Sequence, residues 1–81
     1  MISGDIVPIT AYILLNIRTG KEYEIADKLK NIESIKEVTI TYGLWDIIAK
    51  IEVGSMSELD KIVFTIRSIE GVEQTATLVG I

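Results

Sequence analysis

Tyr42-Gly43-Leu44-Trp45-Asp46 puts the only Trp of the chain next to a carboxylate. A Gly-x-aromatic-Asp segment at a turn can gather backbone N–H groups, one ring and one negative charge, the parts needed to hold a small polar molecule that carries an ammonium group. The same residues can simply close a tight turn whose Asp caps its own backbone. Thr75 and Thr77 offer two hydroxyls in register on one side of an extended segment, or serve its β-propensity alone. Thr19-Gly20 is a third candidate, because helix N-termini bind anions. Tyr12 and Tyr42 could act as stacking platforms for bases, but the basic and aromatic companions that such sites need are missing. There is no His and no Cys, which excludes imidazole and thiol catalysis, disulfides and zinc centres. General acid–base work would fall to Asp46, Lys50, Glu52 or a Tyr, and no pair of these has a spacing that demands a perturbed pKa. We therefore assign no catalytic residue, no metal ligand and no cofactor, and read the chain as a non-enzyme.

The elements that must position these residues belong to a chain of 81 residues, one domain near the lower limit for a self-sufficient core. Hydrophobic residues make up 48% of it, with sixteen Ile and a single Gln. So apolar a short chain is expected to bury part of its surface against a second copy. Abundant Ile and scarce Gln fit a thermophilic source. The formal charge of −4 opposes the counterion release that drives nucleic-acid binding. No apolar run approaches the roughly 20 residues of a membrane span, and Met1-Ile2-Ser3-Gly4-Asp5 lacks the basic start of a signal peptide, so the expected location is cytoplasmic.

Residues 1–8 read as a loose segment and residues 9–81 as a single domain. Residues 9–17 form a nearly continuous apolar run of strand length. Thr19-Gly20-Lys21-Glu22 fits a capping box, and Ile25, Ala26, Leu29 and Ile32 follow at helical spacing, which predicts a helix over 20–32. Alternation over Ile35–Tyr42 and Trp45–Val53 on either side of Gly43 predicts a hairpin. Ser55-Met56-Ser57-Glu58 is a second capping box, followed by Leu59, Ile62, Val63, Ile66 and Ile69, with Gly71 as the stop. Val72–Val79 alternates again as a last strand. Ile32–Thr39 and Ile69–Ala76 echo one another, each running from a helix into an edge strand. The order βαββαβ makes the fold class α+β, ferredoxin-like: a four-stranded antiparallel sheet with both helices on one face.

Parity predicts that Ala11, Ile13, Leu15, Ile17, Val38, Ile40, Trp45, Ile47, Ala49, Ile51, Val72, Ala76 and Leu78 face the helices. It leaves Tyr12, Leu14, Asn16, Thr39, Thr41, Asp46, Ile48, Lys50, Glu52, Thr75, Thr77 and Val79 on the other side. That second face is half apolar and fits the inside of a dimer of stacked sheets.

From about residue 10 to residue 80 the chain resembles the C-terminal regulatory domain of the Lrp/AsnC transcription regulators, the feast/famine proteins. The likeness is carried by Ala11-Tyr12-Ile13-Leu14-Leu15-Asn16 leading into Gly20-Lys21-Glu22, by the Tyr42–Asp46 hairpin, and by Gly71-Val72-Glu73-Gln74-Thr75-Ala76-Thr77-Leu78. It implies a homodimer joined through its sheets as a dimeric α/β barrel, a higher ring (octamer or decamer), and an amino acid bound between dimers. It further implies a pocket lined by Gly43, Asp46, Thr75 and Thr77, with Tyr42 and Trp45 adjacent. Family members usually begin with a helix-turn-helix domain, whereas only about eight residues precede the first strand here. The chain thus resembles the stand-alone form, expected to act through oligomerisation or co-assembly with full-length relatives. Two other readings share the element order: an ACT-like amino-acid-binding subunit, whose ligand would lie at Gly20, and a small cofactor-free dimeric α/β barrel enzyme.

With an acidic balance and no recognition helix, the isolated chain is expected not to bind duplex DNA at physiological salt. A salt-dependent band shift at micromolar protein would contradict this.

Overall fold

Alternation of apolar and polar residues decides where the strands run, and Gly and Ser residues decide where they stop. The computed structural model describes residues 8–81, as β1 (Ile9–Ile17), α1 (Glu22–Lys30), β2 (Ile35–Ile40), β3 (Ile47–Val53), α2 (Met56–Arg67) and β4 (Val72–Val79). Of the segment expected to be loose, residues 1–7 lie outside the described residues. The strands form one antiparallel sheet in the order β2-β3-β1-β4, the expected ferredoxin-like arrangement. Ala11, Ile13, Leu15 and Ile17 of β1 and Ile47, Ala49, Ile51 and Val53 of β3 are buried, at every second position. They pack against Ile25, Ala26 and Leu29 of α1 and Leu59, Ile62 and Ile66 of α2. Each fully buried Leu or Ile contributes about 1.5–3 kcal/mol, so the two central strands and the inner helix faces supply most of the hydrophobic stabilisation.

The second capping box forms. Ser55 Oγ accepts from the Glu58 N–H at 3.1 Å, and the Glu58 carboxylate turns back to accept from the Gly54 N–H at 2.9 Å. The first forms only in half: the Glu22 carboxylate accepts from the Gly20 N–H at 3.0 Å, but no side chain caps the helix, whose N-cap is Lys21. Gly20 has φ +94°, which no helical residue adopts, so α1 begins at Glu22 rather than at residue 20, and it ends at Lys30 rather than at residue 32. The hairpin strands are also shorter than expected, leaving 41–46 as the connecting loop.

The faces of β4 are the main correction. Val72 pairs with Ile17, but Gln74 pairs with Asn16, so Glu73 is an extra residue and the strand bulges there. Beyond the bulge Thr75 pairs with Leu15, Thr77 with Ile13 and Val79 with Ala11. Directly paired residues share a face. The two threonines and Val79 therefore lie on the helix side, while Ala76 and Leu78 lie on the open side with Leu14 and Tyr12, the reverse of what strict alternation from Val72 predicts. The echoing segment carries the matching irregularity in β2, where Ile35 pairs with Ile51 and Glu37 with Lys50, making Lys36 the counterpart of Glu73.

Gly71, at the turn from α2 into β4, has φ +101°, and a Cβ there would sit 2.9 Å from Ile25 Cδ1 in the core. At Gly20, with φ +94°, a Cβ would meet nothing within 4 Å. Gly71→Ala is expected to cost about 2–3 kcal/mol and Gly20→Ala about 1 kcal/mol, the difference being the clash with Ile25. Urea unfolding of both variants measures this, and equal losses would contradict it.

Candidate functional site

The hairpin loop is tied to the end of β1 by Asp46. Its backbone N–H donates to the Leu15 carbonyl at 2.8 Å, and its Oδ2 accepts from the Ile17 N–H at 2.8 Å. The carboxylate thus stands where a backbone carbonyl of β3 would continue the ladder. Its second oxygen has no hydrogen-bond partner among the described residues. Thr41 closes the loop from the other side: its N–H donates to the Asp46 carbonyl at 2.8 Å and its hydroxyl to the Trp45 carbonyl. Within this frame Gly43 has φ +145°, a conformation that L side chains rarely adopt, and a Cβ there would meet nothing. Tyr42 and Leu44 are fully or nearly fully exposed, at 106% and 84%. Trp45, expected to face the helices from β3, lies in the loop and is half-buried.

Thr75 and Thr77 stand elsewhere. Because of the bulge at Glu73 they line an open groove of about 480 Å³ between α2 and β4, together with Val63, Arg67, Val72, Glu73 and Gln74. Met56, Phe64 and Val79 extend the groove as a shelf, with Asp60 and Arg67 beside them. In one protomer Thr75 is separated from Ile47, the residue after Asp46, by the whole width of β1, which is about 10 Å at the usual strand spacing. Asp46 itself lies in the loop, its carboxylate at the Ile17 N–H, and does not line the groove. Tyr42, Gly43, Trp45 and Asp46 are brought together, Thr75 and Thr77 are brought together, and the two groups are held apart.

Two features of the groove went unread in the sequence, Arg67 and the shelf. The internal echo carried a signal for the first: Thr75 and Thr77 correspond to Val38 and Ile40 of the other half, helix-side positions where an apolar residue would be expected. Phe64, 73% exposed on a helix whose buried face is Leu59, Ile62 and Ile66, was the signal for the second. The Gly20 turn is the weakest candidate, since its N–H is already taken by Glu22 and a second acid, Glu24, lies in the same helical turn.

Comparison with known proteins bears on these surfaces. The Lrp/AsnC ligand binding domain matches residues 10–81. The HTH-type transcriptional regulator FL11 of Pyrococcus furiosus is 39% identical over 71 residues, covering 88% of this chain and 47% of the relative. The chain thus spans about half the length of that relative, whose Pyrococcus origin fits the thermophilic source expected from the composition. The crystal structure of FFRP-DM1 superposes with a TM-score of 0.88 at 34% identity, covering 90% of this chain and 99% of that one. The transcriptional regulator NMB0573 from Neisseria meningitidis, solved as a complex with L-Met, is alike in fold alone, with a TM-score of 0.82 at 18% identity over 90% of this chain and 49% of that one. From the family match and the FL11 and FFRP-DM1 likenesses, this chain belongs to the Lrp/AsnC family and carries its ligand-binding domain.

Proposed function

We propose that the chain is an amino-acid-sensing module of the Lrp/AsnC type, which pairs through its open sheet face and holds its effector between protomers. The observation that carries this reading is the separation just described: Asp46 and Gly43 on one surface, Thr75 and Thr77 on another, both open to solvent. A ligand small enough to be an amino acid reaches both groups only where two copies meet. Asp46 keeps one carboxylate oxygen for the ligand's ammonium, and a threonine hydroxyl and the backbone around Gly43 serve its other polar atoms. The L-Met complex of the Neisseria regulator supports an amino acid as the effector class. The curated relatives are HTH-type transcriptional regulators, so the module would act by assembling with itself, in rings of dimers, or with full-length relatives that carry the DNA-binding half. Among the described residues no helix is long and apolar enough to cross a membrane.

The open sheet face supports the pairing. Tyr12, Leu14, Ile48, Ala76 and Leu78 form an apolar centre, bordered by the Lys50–Glu52 pair at 3.8 Å and by the Asn16–Gln74 hydrogen bond at 3.3 Å. An apolar middle with a polar rim is the anatomy of a sheet that packs on another. Leu78 is 56% exposed in the protomer, so Leu78→Glu costs little folding energy. Light scattering is expected to give at least a dimer mass for the wild type and a smaller mass for Leu78→Glu. A monomeric wild type at micromolar concentration would contradict the pairing.

The effector reading is tested by melting the protein against the twenty amino acids. A ligand at a hundredfold excess over its dissociation constant adds about 2.7 kcal/mol, roughly 10–20 °C for a domain of this size. Because Asp46 also holds the Ile17 N–H, Asp46→Ala is expected to lose about 1–2 kcal/mol by itself. Asp46→Asn keeps an acceptor for that N–H and removes the charge, so it is expected to fold normally and lose the ligand shift. An Asn variant with the full shift would leave Asp46 as a turn residue.

A further inference from the structure

We propose that the groove between α2 and β4 reads the carboxylate of the effector through Arg67, with Thr75 and Thr77 beside it. This rests on the amino-acid-sensing reading above and assigns the part of the ligand that Asp46 does not take. Arg67 ends α2 and lines the groove in company with both threonines. Among the described residues Arg67, like Lys30, Lys36 and Lys61, has no carboxylate within 4 Å, and of these four it alone lines the groove. A guanidinium offers a planar fork of donors that matches a carboxylate in two hydrogen bonds, and hydroxyls alongside can donate to the same oxygens.

The charge balance of the groove narrows the ligand class. Glu73 lines the groove beside Arg67 and Asp60 lines its continuation, so two carboxylates accompany the one guanidinium, and a phosphate dianion or any anion without a cationic group meets repulsion. A zwitterion suits it. Past Val63 the groove continues along Met56, Leu59, Phe64 and Val79, with Phe64 73% exposed and Asp60 beside them, and offers burial to the hydrocarbon part of the ligand's side chain. The bulge at Glu73 creates this site: without the extra residue the two threonines would sit on the open sheet face, away from Arg67. A cation in the last turn of a helix also complements the helix dipole, and a purely structural Arg67 would do no more than that.

The test titrates wild type, Arg67→Gln and Arg67→Lys by calorimetry, with L-methionine and any other amino acid that shifts the wild-type melt, and with the carboxamide of each. Arg67 is exposed, so both variants are expected to fold and to keep the wild-type mass in light scattering. Arg67→Gln is expected to weaken binding of the amino acid by roughly 10- to 150-fold, as the loss of a charge-assisted pair implies, with Arg67→Lys between. The carboxamide is expected to bind the wild type worse by a similar factor and to bind Arg67→Gln no worse than the amino acid does, because both changes remove the same contact. Equal affinity of Arg67→Gln and wild type for the amino acid overturns the proposal while leaving the sensor reading intact, as does a carboxamide penalty of equal size in both proteins. If no amino acid shifts the wild-type melt at millimolar concentration, the sensor reading fails and this proposal with it.

Discussion

Glu73 has no partner on β1. It is inserted where Val72 pairs with Ile17 and Gln74 with Asn16, and every later side chain of β4 takes its direction from it. Because strand side chains alternate strictly, one unpaired residue turns Thr75, Thr77 and Val79 toward α2 and Ala76 and Leu78 toward the open sheet face. Both surfaces of interest depend on that turn. The groove gains its hydroxyls and the edge of its shelf, and the open face gains Leu78 beside Tyr12.

Asp46 is the second fixed point. Its bond to the Ile17 N–H anchors the hairpin loop to the strand that carries the centre of the sheet, and it presents Gly43 and the exposed Tyr42 and Leu44 at one end of the molecule. A carboxylate that replaces a backbone carbonyl in a ladder has one oxygen committed to structure and one that is not, so a structural and a ligand-binding role coexist in the same residue. The exposed large apolar residues fall into separate patches: Tyr12 and Leu78 on the sheet face, Tyr42 and Leu44 at the hairpin, Met56, Phe64 and Val79 along the groove. The sheet face can pair with itself about a two-fold axis, while hairpin and groove are different surfaces and can meet only in contacts between unlike patches.

Much of the fold was legible because its signals are local. The bounds of β1 and β4, the capping box at Ser55 and the spacing of Leu59, Ile62 and Ile66 follow from alternation and capping within one segment. The direction of Thr75 and Thr77 was not legible, because a bulge is a property of two strands paired across the sheet and leaves Val72–Val79 looking like a regular alternation. The start of α1 was misread for a related reason: Thr19 and Glu22 have capping-box spacing, but the positive φ of Gly20 holds the chain outside the helix for two further residues. At the hairpin, the residue types identified Asp46 and Gly43 as a unit, while the bond from Asp46 to Ile17, twenty-nine residues earlier in the chain, needed the fold to be seen. Arg67 carried no motif and became notable only by the threonines that line the groove with it.

On the proposed reading, one amino acid is held by two copies of the chain, neither of which has the complete site. The decisive test is a crystal structure of the assembly grown with an amino acid that raises its melting temperature. The ligand is expected between protomers, its ammonium on Asp46 of one copy and its carboxylate among Arg67, Thr75 and Thr77 of another. A ligand at the Gly20 turn, or one enclosed by a single protomer without Asp46, would contradict it.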